Sequence, residues 1–373
     1  MLLTDLPLPS RPGDLYLRPA GLLRGETAVA AIRGEGAVRL SGGHLAFTLV
    51  EVAVRVGGTT GSEGAARAVA PVQTVMDWAA TLPEALGWQV KLRLSALAQP
   101  QRLWAGLNLD RPLIMGIVNV TPDSFSDGGE FATGNAAIAH GRALIQAGAD
   151  ILDIGGESTR PGAAPVPVGE EMARVLPVIR ALAGEGAVVS VDTRHAPVMA
   201  AALEAGARIV NDVTALSGDG DSLSVVAQAG CPVVLMHMQG EPQTMQTDPR
   251  YRDAALDVFD HLAERIAAAE AAGIAREQIA VDPGIGFGKT VAHNLHLLRH
   301  LALFHGLAAP LLVGVSRKRF IAALSREEAP KDRLPGSLAA GLAALDQGAQ
   351  IIRVHDVAET VQARAVWSAL AGR

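Results

Sequence analysis

Acidic and amide side chains stand at the ends of short apolar runs in this chain. Asp192 closes Val188–Asp192, Asn211 sits in Ile209–Val213, and Asp282 closes Ile279–Asp282. A carboxylate can accept a pair of hydrogen bonds from a 2-amino-pyrimidinone edge, and an amide offers donor and acceptor together. The three therefore suit a flat heterocycle rich in N–H groups. Taken singly, each fits a helix cap or a loop anchor just as well. Asn119, near the end of Leu113–Val120, has no acid–base chemistry, but its carbonyl oxygen is a hard ligand suited to Mg²⁺ beside a phosphate. A loop-capping Asn is the plainer reading. In Gln350–His355, Arg353 and His355 share one side by the period of two, so a guanidinium and an imidazole at adjacent depths can clamp phosphate. The plain alternative is a surface ion pair with Asp356.

Two loops carry further polar groups. Asn119-Val-Thr-Pro-Asp-Ser-Phe-Ser-Asp-Gly-Gly129 reads as a mobile loop over the barrel mouth. Asp153-Ile-Gly-Gly-Glu-Ser-Thr-Arg-Pro-Gly162 sets Glu157, Ser158, Thr159 and Arg160 in a row between a double Gly and Pro161. Asp282-Pro-Gly-Ile-Gly-Phe-Gly-Lys289 has the spacing of neither the dinucleotide fingerprint nor the Walker loop. Phe287 there can stack on an aromatic ligand, while Met236 and His237 can wall a pocket, although Met is more often plain core.

The elements that must position these residues repeat regularly. Eight apolar runs read as strands: Leu113–Val120, Asp150–Ile154, Val188–Asp192, Ile209–Val213, Pro232–Met236, Ile279–Asp282, Leu311–Ser316 and Gln350–His355. Most are continuous Val/Ile/Leu runs, as parallel strands covered on both faces require. Helices fall between them, among them Asn135–Ala147, Gly169–Ala183, Tyr251–Ala272 and Leu334–Gln347. Gly148, Gly206, Gly230, Gly273 and Gly348 stand where helices end in a positive-φ residue. Eight β-then-α units predict an α/β fold, a (β/α)8 TIM barrel, with a doubly wound open sheet as the competitor. The polar residues singled out cluster at strand carboxyl ends, where such barrels carry their sites, and loops after the seventh and eighth strands commonly hold phosphate.

Residues 1–105 read as a small α+β module, and residues 106–373 as the barrel domain. The module shows strands at Leu45–Val56 and Trp88–Leu94, a helix near Val72–Ala85, and a Gly-rich loop from Gly57 to Ala65. Ala98–Pro112 would be the connection. Nothing in the module looks like a site, which favours a structural or oligomer-forming appendage.

Composition excludes several classes. Of 373 residues 49% are hydrophobic and 19% charged, a globular balance with a large core. The net charge is −6 and the longest basic run is Arg317-Lys-Arg319, which argues against a nucleic-acid surface. One cysteine, Cys231, allows no internal disulfide and fits a reducing cytoplasm. The N-terminus lacks the pattern of a signal peptide, and no apolar run nears the roughly 20 residues that span a bilayer.

Taken in order, the motifs resemble the dihydropteroate synthase family. They are Gly116-Ile-Val-Asn-Val-Thr-Pro-Asp-Ser-Phe-Ser-Asp-Gly-Gly129, Asp153–Gly162, Val191-Asp-Thr193, Asn211-Asp212, Leu235-Met-His237, Asp282–Lys289, Ser316-Arg-Lys318 and Arg353-Val-His355. The likeness runs from Leu113 to about Trp367 and omits the N-terminal module. It implies that 4-aminobenzoate displaces diphosphate from (7,8-dihydropterin-6-yl)methyl diphosphate, giving 7,8-dihydropteroate for folate synthesis. It also implies that Asp192, Asn211, Asp282 and Lys318 hold the pterin and that Met236 lines its slot. Asn119, Arg353 and His355 would bind the diphosphate with Mg²⁺, Thr159-Arg160-Pro161 would help to form the aminobenzoate pocket, and Phe125 and Ser126 would close over it. By the same analogy the partner is a second copy, in a homodimer formed through late barrel helices. Arg319 departs from the small Ser many relatives carry after Arg-Lys. Two other readings exist: a methyltetrahydrofolate-dependent corrinoid methyltransferase, and a catalytically silent pterin-binding paralogue.

Overall fold

The computed structural model describes residues 1–55, 64–121, 130–158, 164–241 and 243–371. Phe125, Ser126, Thr159, Arg160 and Pro161 lie outside the described residues, as does most of the Gly57–Ala65 stretch.

The chain opens with β1 (Leu15–Leu23), α1 (Gly25–Arg33), β2 (Val38–Arg39), β3 (Ala46–Arg55) and β4 (Ala65–Pro71). Antiparallel pairing of β3 with β1, β2 and β4 makes one sheet. Two helices follow, α2 (Val72–Thr81) and α3 (Glu84–Ala98). The sheet is apolar on both faces. Leu15, Leu17, Val50, Val52 and Val54 pack with Val75, Val90 and Leu97 of α2 and α3, whereas Tyr16 and Ala53 join the core of the barrel.

Two expectations fail here. Trp88–Leu94 is not a strand but the middle of α3. Its buried residues Gly87, Val90, Leu94 and Leu97 recur at helical spacing, while Trp88 and Leu92 face outward, 65% and 53% exposed. Trp, Val and Leu suggested β propensity, and the period overrides it. The helix expected over Val72–Ala85 ends at Thr81, because Pro83 interrupts it and caps α3. β1, α1 and β4 carry no pattern that announced them.

The connection Ala98–Pro112 is also structured. It folds into a hairpin of β5 (Leu103–Trp104) and β6 (Leu107–Asn108). Trp104, Ala105 and Leu109 join Met115, Ile151, Ile209, Val234, Ala280, Leu312 and Ile351, one apolar residue from each of seven barrel strands. Trp104 is 1% exposed, and its indole N–H donates to the Gln278 carbonyl at 3.0 Å. The hairpin plugs the end of the barrel at which the strands begin.

All eight barrel strands appear: β7 (Leu113–Asn119), β8 (Ile151–Gly155), β9 (Val189–Asp192), β10 (Ile209–Asp212), β11 (Val233–Met236), β12 (Ile279–Asp282), β13 (Leu312–Val313) and β14 (Ile351–Val354). Their order in space is β12-β11-β10-β9-β8-β7-β14-β13, every pair parallel. A parallel bridge between Val281 and Leu311 joins the two ends of that path and closes the (β/α)8 barrel. An open doubly wound sheet has no such closure, and its order breaks at a switch point. The crossovers hold α4 (Glu130–Gln146), α5 (Val168–Gly184), α6 (Ala196–Glu204), α7 (Ser222–Ala229), α8 (Ala254–Ala271), α9 (Val291–Arg299), α10 (Arg319–Ala323) and α11 (Leu334–Leu345), with α12 (Val357–Leu370) last. The five glycines expected after helices all have positive φ, between 59° and 108°.

Candidate active site

The carboxyl ends of the strands gather the polar residues by alternation. In β10, Asn211 is turned to Asp153, whose Oδ2 accepts its amide N–H at 3.0 Å. The next residue, Asp212, faces the other way and accepts from the Thr214 N–H and hydroxyl at 2.7 Å and the Leu216 N–H at 2.9 Å. One neighbour serves the mouth and the other pins a loop.

Arg353 crosses the barrel. Its Nε donates to Asp153 Oδ2 and a terminal nitrogen to Asp192 Oδ2, both at 2.6 Å. It does not pair with Asp356, which binds Arg317 instead, at 3.0 Å from Nε. Burial opposes the charge on Arg353, yet Asp153 and Asp192 hold it more firmly cationic than usual. Burial lifts the Asp192 carboxyl above its ordinary range and Arg353 opposes that, while Asp153, Glu171 and Asp212 add to it. In the sequence Asp153 marks only the start of the double-glycine motif. It proves to be the point where Arg353 and Asn211 meet, fully buried.

The seventh strand delivers Lys318 through a reversal. Arg317 adopts a left-handed backbone, φ 58°, with its N–H held by the Ser337 hydroxyl at 2.8 Å. This turns Arg317 to Asp356, whereas the Lys318 ammonium lies 4.0 Å above the centre of the Phe287 ring. Phe287 thus meets a cation within the protein, a contact that its sequence did not suggest. Burial lowers Lys318 to about 8, against the attraction of Asp282. Burial raises Asp282 to about 6, against the Gly284 N–H, which its Oδ1 accepts at 2.7 Å, and against Lys318. His355 accepts or donates through Nδ1 with the Ser316 hydroxyl at 3.0 Å. Burial, with Arg353 next, lowers it to about 3, so it is a neutral ring at physiological pH. Arg319 is exposed at the start of α10.

Missing side chains make the space. A Cβ on Gly155 would stand 3.4 Å from Asp192 Cβ, one on Gly286 3.1 Å from Lys318, and one on Gly314 4.0 Å from Asp282 Oδ2. Glycine at these positions leaves room over three charged groups. Gly284 is required by its backbone: φ is 66°, and a Cβ would lie 1.9 Å from the His237 carbonyl. Met236 is buried beside that turn. Lys289 bolts the two loops together, donating to Phe287 O at 2.8 Å, His237 O at 3.3 Å and His237 Nδ1 at 2.9 Å. Its burial pushes the ammonium well below the usual lysine range.

No three His, Cys, Asp or Glu side chains converge as a metal cage among the described residues. Asn119, half-buried at the end of β7, carries a hard amide oxygen. A single amide fits a Mg²⁺ ion that arrives with a substrate's phosphates and keeps water ligands.

The family described as "Pterin binding enzyme" matches residues 115–355. The chain belongs to it. The dihydropteroate synthase of Escherichia coli (strain K12) is 52% identical over 261 residues, 70% of this chain and 92% of that one. That of Neisseria meningitidis serogroup B is 50% identical over 269 residues, 71% of this chain and 94% of that one. Solved structures agree. Xanthomonas albilineans dihydropteroate synthase with 4-aminobenzoic acid superposes with a TM-score of 0.68 at 52% identity, covering 72% of this chain and 97% of that one. The same enzyme in complex with 7,8-dihydropteroate gives 0.66 at 50%, covering 72% and 96%. As a member of this pterin-binding family the chain is an enzyme, a transferase of the dihydropteroate synthase type. The family match begins at residue 115, beyond the N-terminal sheet and its helices.

Proposed function

We propose that this chain makes 7,8-dihydropteroate from (7,8-dihydropterin-6-yl)methyl diphosphate and 4-aminobenzoate. The observation that carries this is the cluster of Asp153, Asp192, Asn211, Asp282, Lys318 and Arg353 at one barrel mouth, in a chain about half identical to named synthases. Asp192, Asn211 and Asp282 offer the acceptors and the donor that a 2-amino-pyrimidinone edge requires, and Lys318 offers a further donor. Phe287 and Met236 bound the slot. Arg353 and His355 face the diphosphate, Arg353 as a cation and His355 as a neutral hydrogen-bonding ring. In the reaction the aniline nitrogen forms a bond to the pterin methylene carbon, the carbon–oxygen bond to diphosphate breaks, and the anilinium proton is lost to solvent.

Diphosphate leaves well only when its growing charge is neutralised. Mg²⁺ held at Asn119 would supply part of that neutralisation. Asp192, beside the ring, stabilises positive charge as departure runs ahead of attack. The weak nucleophile then needs positioning more than a base, and Thr159, Arg160 and Pro161, with Phe125 and Ser126 closing over, would provide it. A corrinoid methyltransferase has no diphosphate to expel and leaves Asn119 and His355 without work.

The organisation we infer is a catalytic barrel over 106–373 behind a non-catalytic module over 1–105. No helix among the described residues is long and apolar enough to cross a membrane. A buried lone cysteine supports action in the cytoplasm. Exposed Val366 and Leu370 on the last helix support a homodimer, which sedimentation would test.

The deciding assay is diphosphate release from the purified chain given dihydropterin diphosphate, 4-aminobenzoate and Mg²⁺, with Arg353→Ala alongside. Release that depends on the aminobenzoate and collapses in the variant is the expected result. Pterin binding without release overturns the assignment in favour of the silent paralogue.

A further inference from the structure

Where the N-terminal sheet meets the first turns of α8, it does so through a cluster of ion pairs. Arg55, ending β3, donates to Asp257 Oδ1 at 2.8 Å and Asp260 Oδ2 at 2.7 Å. The Tyr16 hydroxyl adds a bond to Asp260 at 2.8 Å. Arg67 of β4 bridges Glu51, at 2.6 Å, and Asp253. These arginines are only 12% and 28% exposed, so water screens the pairs poorly.

Asp253 and Asp257 are not ordinary helix residues. Asp253 is the N-cap of α8, accepting the N–H groups of Ala255 and Leu256 at 3.1 and 3.2 Å, and its carboxylate also meets His296 at 2.9 Å. Asp257 spends its second oxygen on the Arg252 N–H at 2.8 Å. Both carboxylates therefore fix the end of the 237–253 loop, which leads out of β11. Gly64 lies close against the same spot: a Cβ on it would be 3.5 Å from the Arg252 backbone.

That loop holds the wall of the proposed pterin slot. Next to Arg252, the Tyr251 hydroxyl donates to the Gly288 carbonyl at 2.7 Å. Gln246 donates to the Gly286 carbonyl at 2.8 Å. Phe287 lies between those two glycines and supports Lys318. The contacts form one unbroken path: Arg55 and Arg67, Asp257 and Asp253, Tyr251, Gly288 and Phe287, Lys318.

We propose that Arg55 and Arg67 are positioning residues for the pterin slot, so that the N-terminal module is a brace for the Phe287–Lys318 wall. This rests on the synthase reading above. The brace acts on pterin affinity, because its path ends at Phe287 and Lys318, the wall of the proposed pterin slot.

The test is steady-state kinetics on the full chain with Arg67→Met, Tyr251→Phe and the double variant. Each single change should raise KM for the pterin diphosphate about five- to tenfold, with kcat and KM for 4-aminobenzoate within about twofold. The double variant should be no worse than the more damaging single, since both cut one path. Arg67→Lys should recover part of the loss. The proposal is overturned if KM for both substrates rises together with a lowered Tm, if neither moves, or if the two effects multiply. Should Arg67→Met not fold, Tyr251→Phe and Gln246→Ala alone decide, and an unchanged pterin KM in both rejects the brace. A wild-type chain without turnover would count against the synthase reading instead; direct titration of a pterin would still show whether the variants weaken binding.

Discussion

Asp192 accepts a 2.6 Å hydrogen bond from Arg353, and both side chains are mostly buried at the mouth of the barrel. The carboxylate thus faces two tasks, holding a guanidinium and meeting a ligand. Asp192→Asn keeps the volume and removes the charge, while Arg353 retains Asp153. Folding should survive, and kcat/KM for the pterin diphosphate should drop about 10- to 100-fold, the worth of one charge-assisted hydrogen bond. Assayed diphosphate release at saturating aminobenzoate checks this; an unchanged value would remove Asp192 from the pterin site.

Three displaced titrations at the slot, those of Asp192, Asp282 and Lys318, define a pH window. Asp282, raised to about 6, is a carboxylate only above that pH, and Lys318, lowered to about 8, is an ammonium only below it. If binding needs all three charges, kcat/KM for the pterin should be bell-shaped, with an acid limb between about 6 and 7, where Asp282 and Asp192 take up protons, and an alkaline limb near 8. Lys318→Arg should carry the alkaline limb upward, because a guanidinium keeps its proton. An alkaline limb that stays in place in that variant assigns it to another group.

Gly284→Ala should be among the most damaging single-methyl changes in the chain. Its φ of 66° strains any other residue, and the added carbon would overlap the His237 carbonyl. A loss of at least about 2 kcal/mol in denaturant unfolding is expected, with weakened pterin binding, since Asp282 loses its Gly284 N–H. A stable, active variant would show that the turn can relax.

His305 gives the acid sensitivity of the seam. It lies buried between Ser41 of the N-terminal part, at 3.0 Å, and the Gln347 carbonyl, at 2.9 Å. Nε2 must donate to that carbonyl, so Nδ1 accepts from the serine. Burial holds its pKa at about 4, below the 6.5 of the unfolded chain. The unfolded state therefore binds the proton first, and stability falls as pH drops from 6.5 towards 4. This one ring should account for about 3 kcal/mol of that fall by pH 4. His305→Gln, lacking the titration, should show a shallower acid limb in Tm; parallel limbs would refute the assignment.

Much of the barrel could be read in the chain because parallel strands buried on both faces leave runs such as Val188–Asp192 and Ile279–Asp282, each stopped by one polar residue. Helix ends were equally plain, since Gly148 and its four counterparts answer to a backbone requirement. What stayed hidden depends on partners distant in sequence. Nothing near Asp153 says that Arg353 and Asn211 will converge on it. Lys318 reaches Phe287 because Arg317 takes a left-handed turn, which no local pattern announces. The N-terminal part was read worst: β4 is Ala-rich, and α3 carries Trp88 and Leu92 on its outer face, so the contrast between inside and outside that marks an element is weak there.

Tyr16, Arg55 and Arg67 are translated long before their partners: Arg67 and Asp253 are 186 positions apart, and Tyr16 and Asp260 are 244 apart. At about 5–20 residues per second, roughly 10 to 40 seconds pass between the birth of Arg67 and that of Asp253. By then five of the eight barrel strands have been synthesised. The ion pairs that tie the first part of the chain to α8 therefore have to wait until more than half of the barrel strands exist.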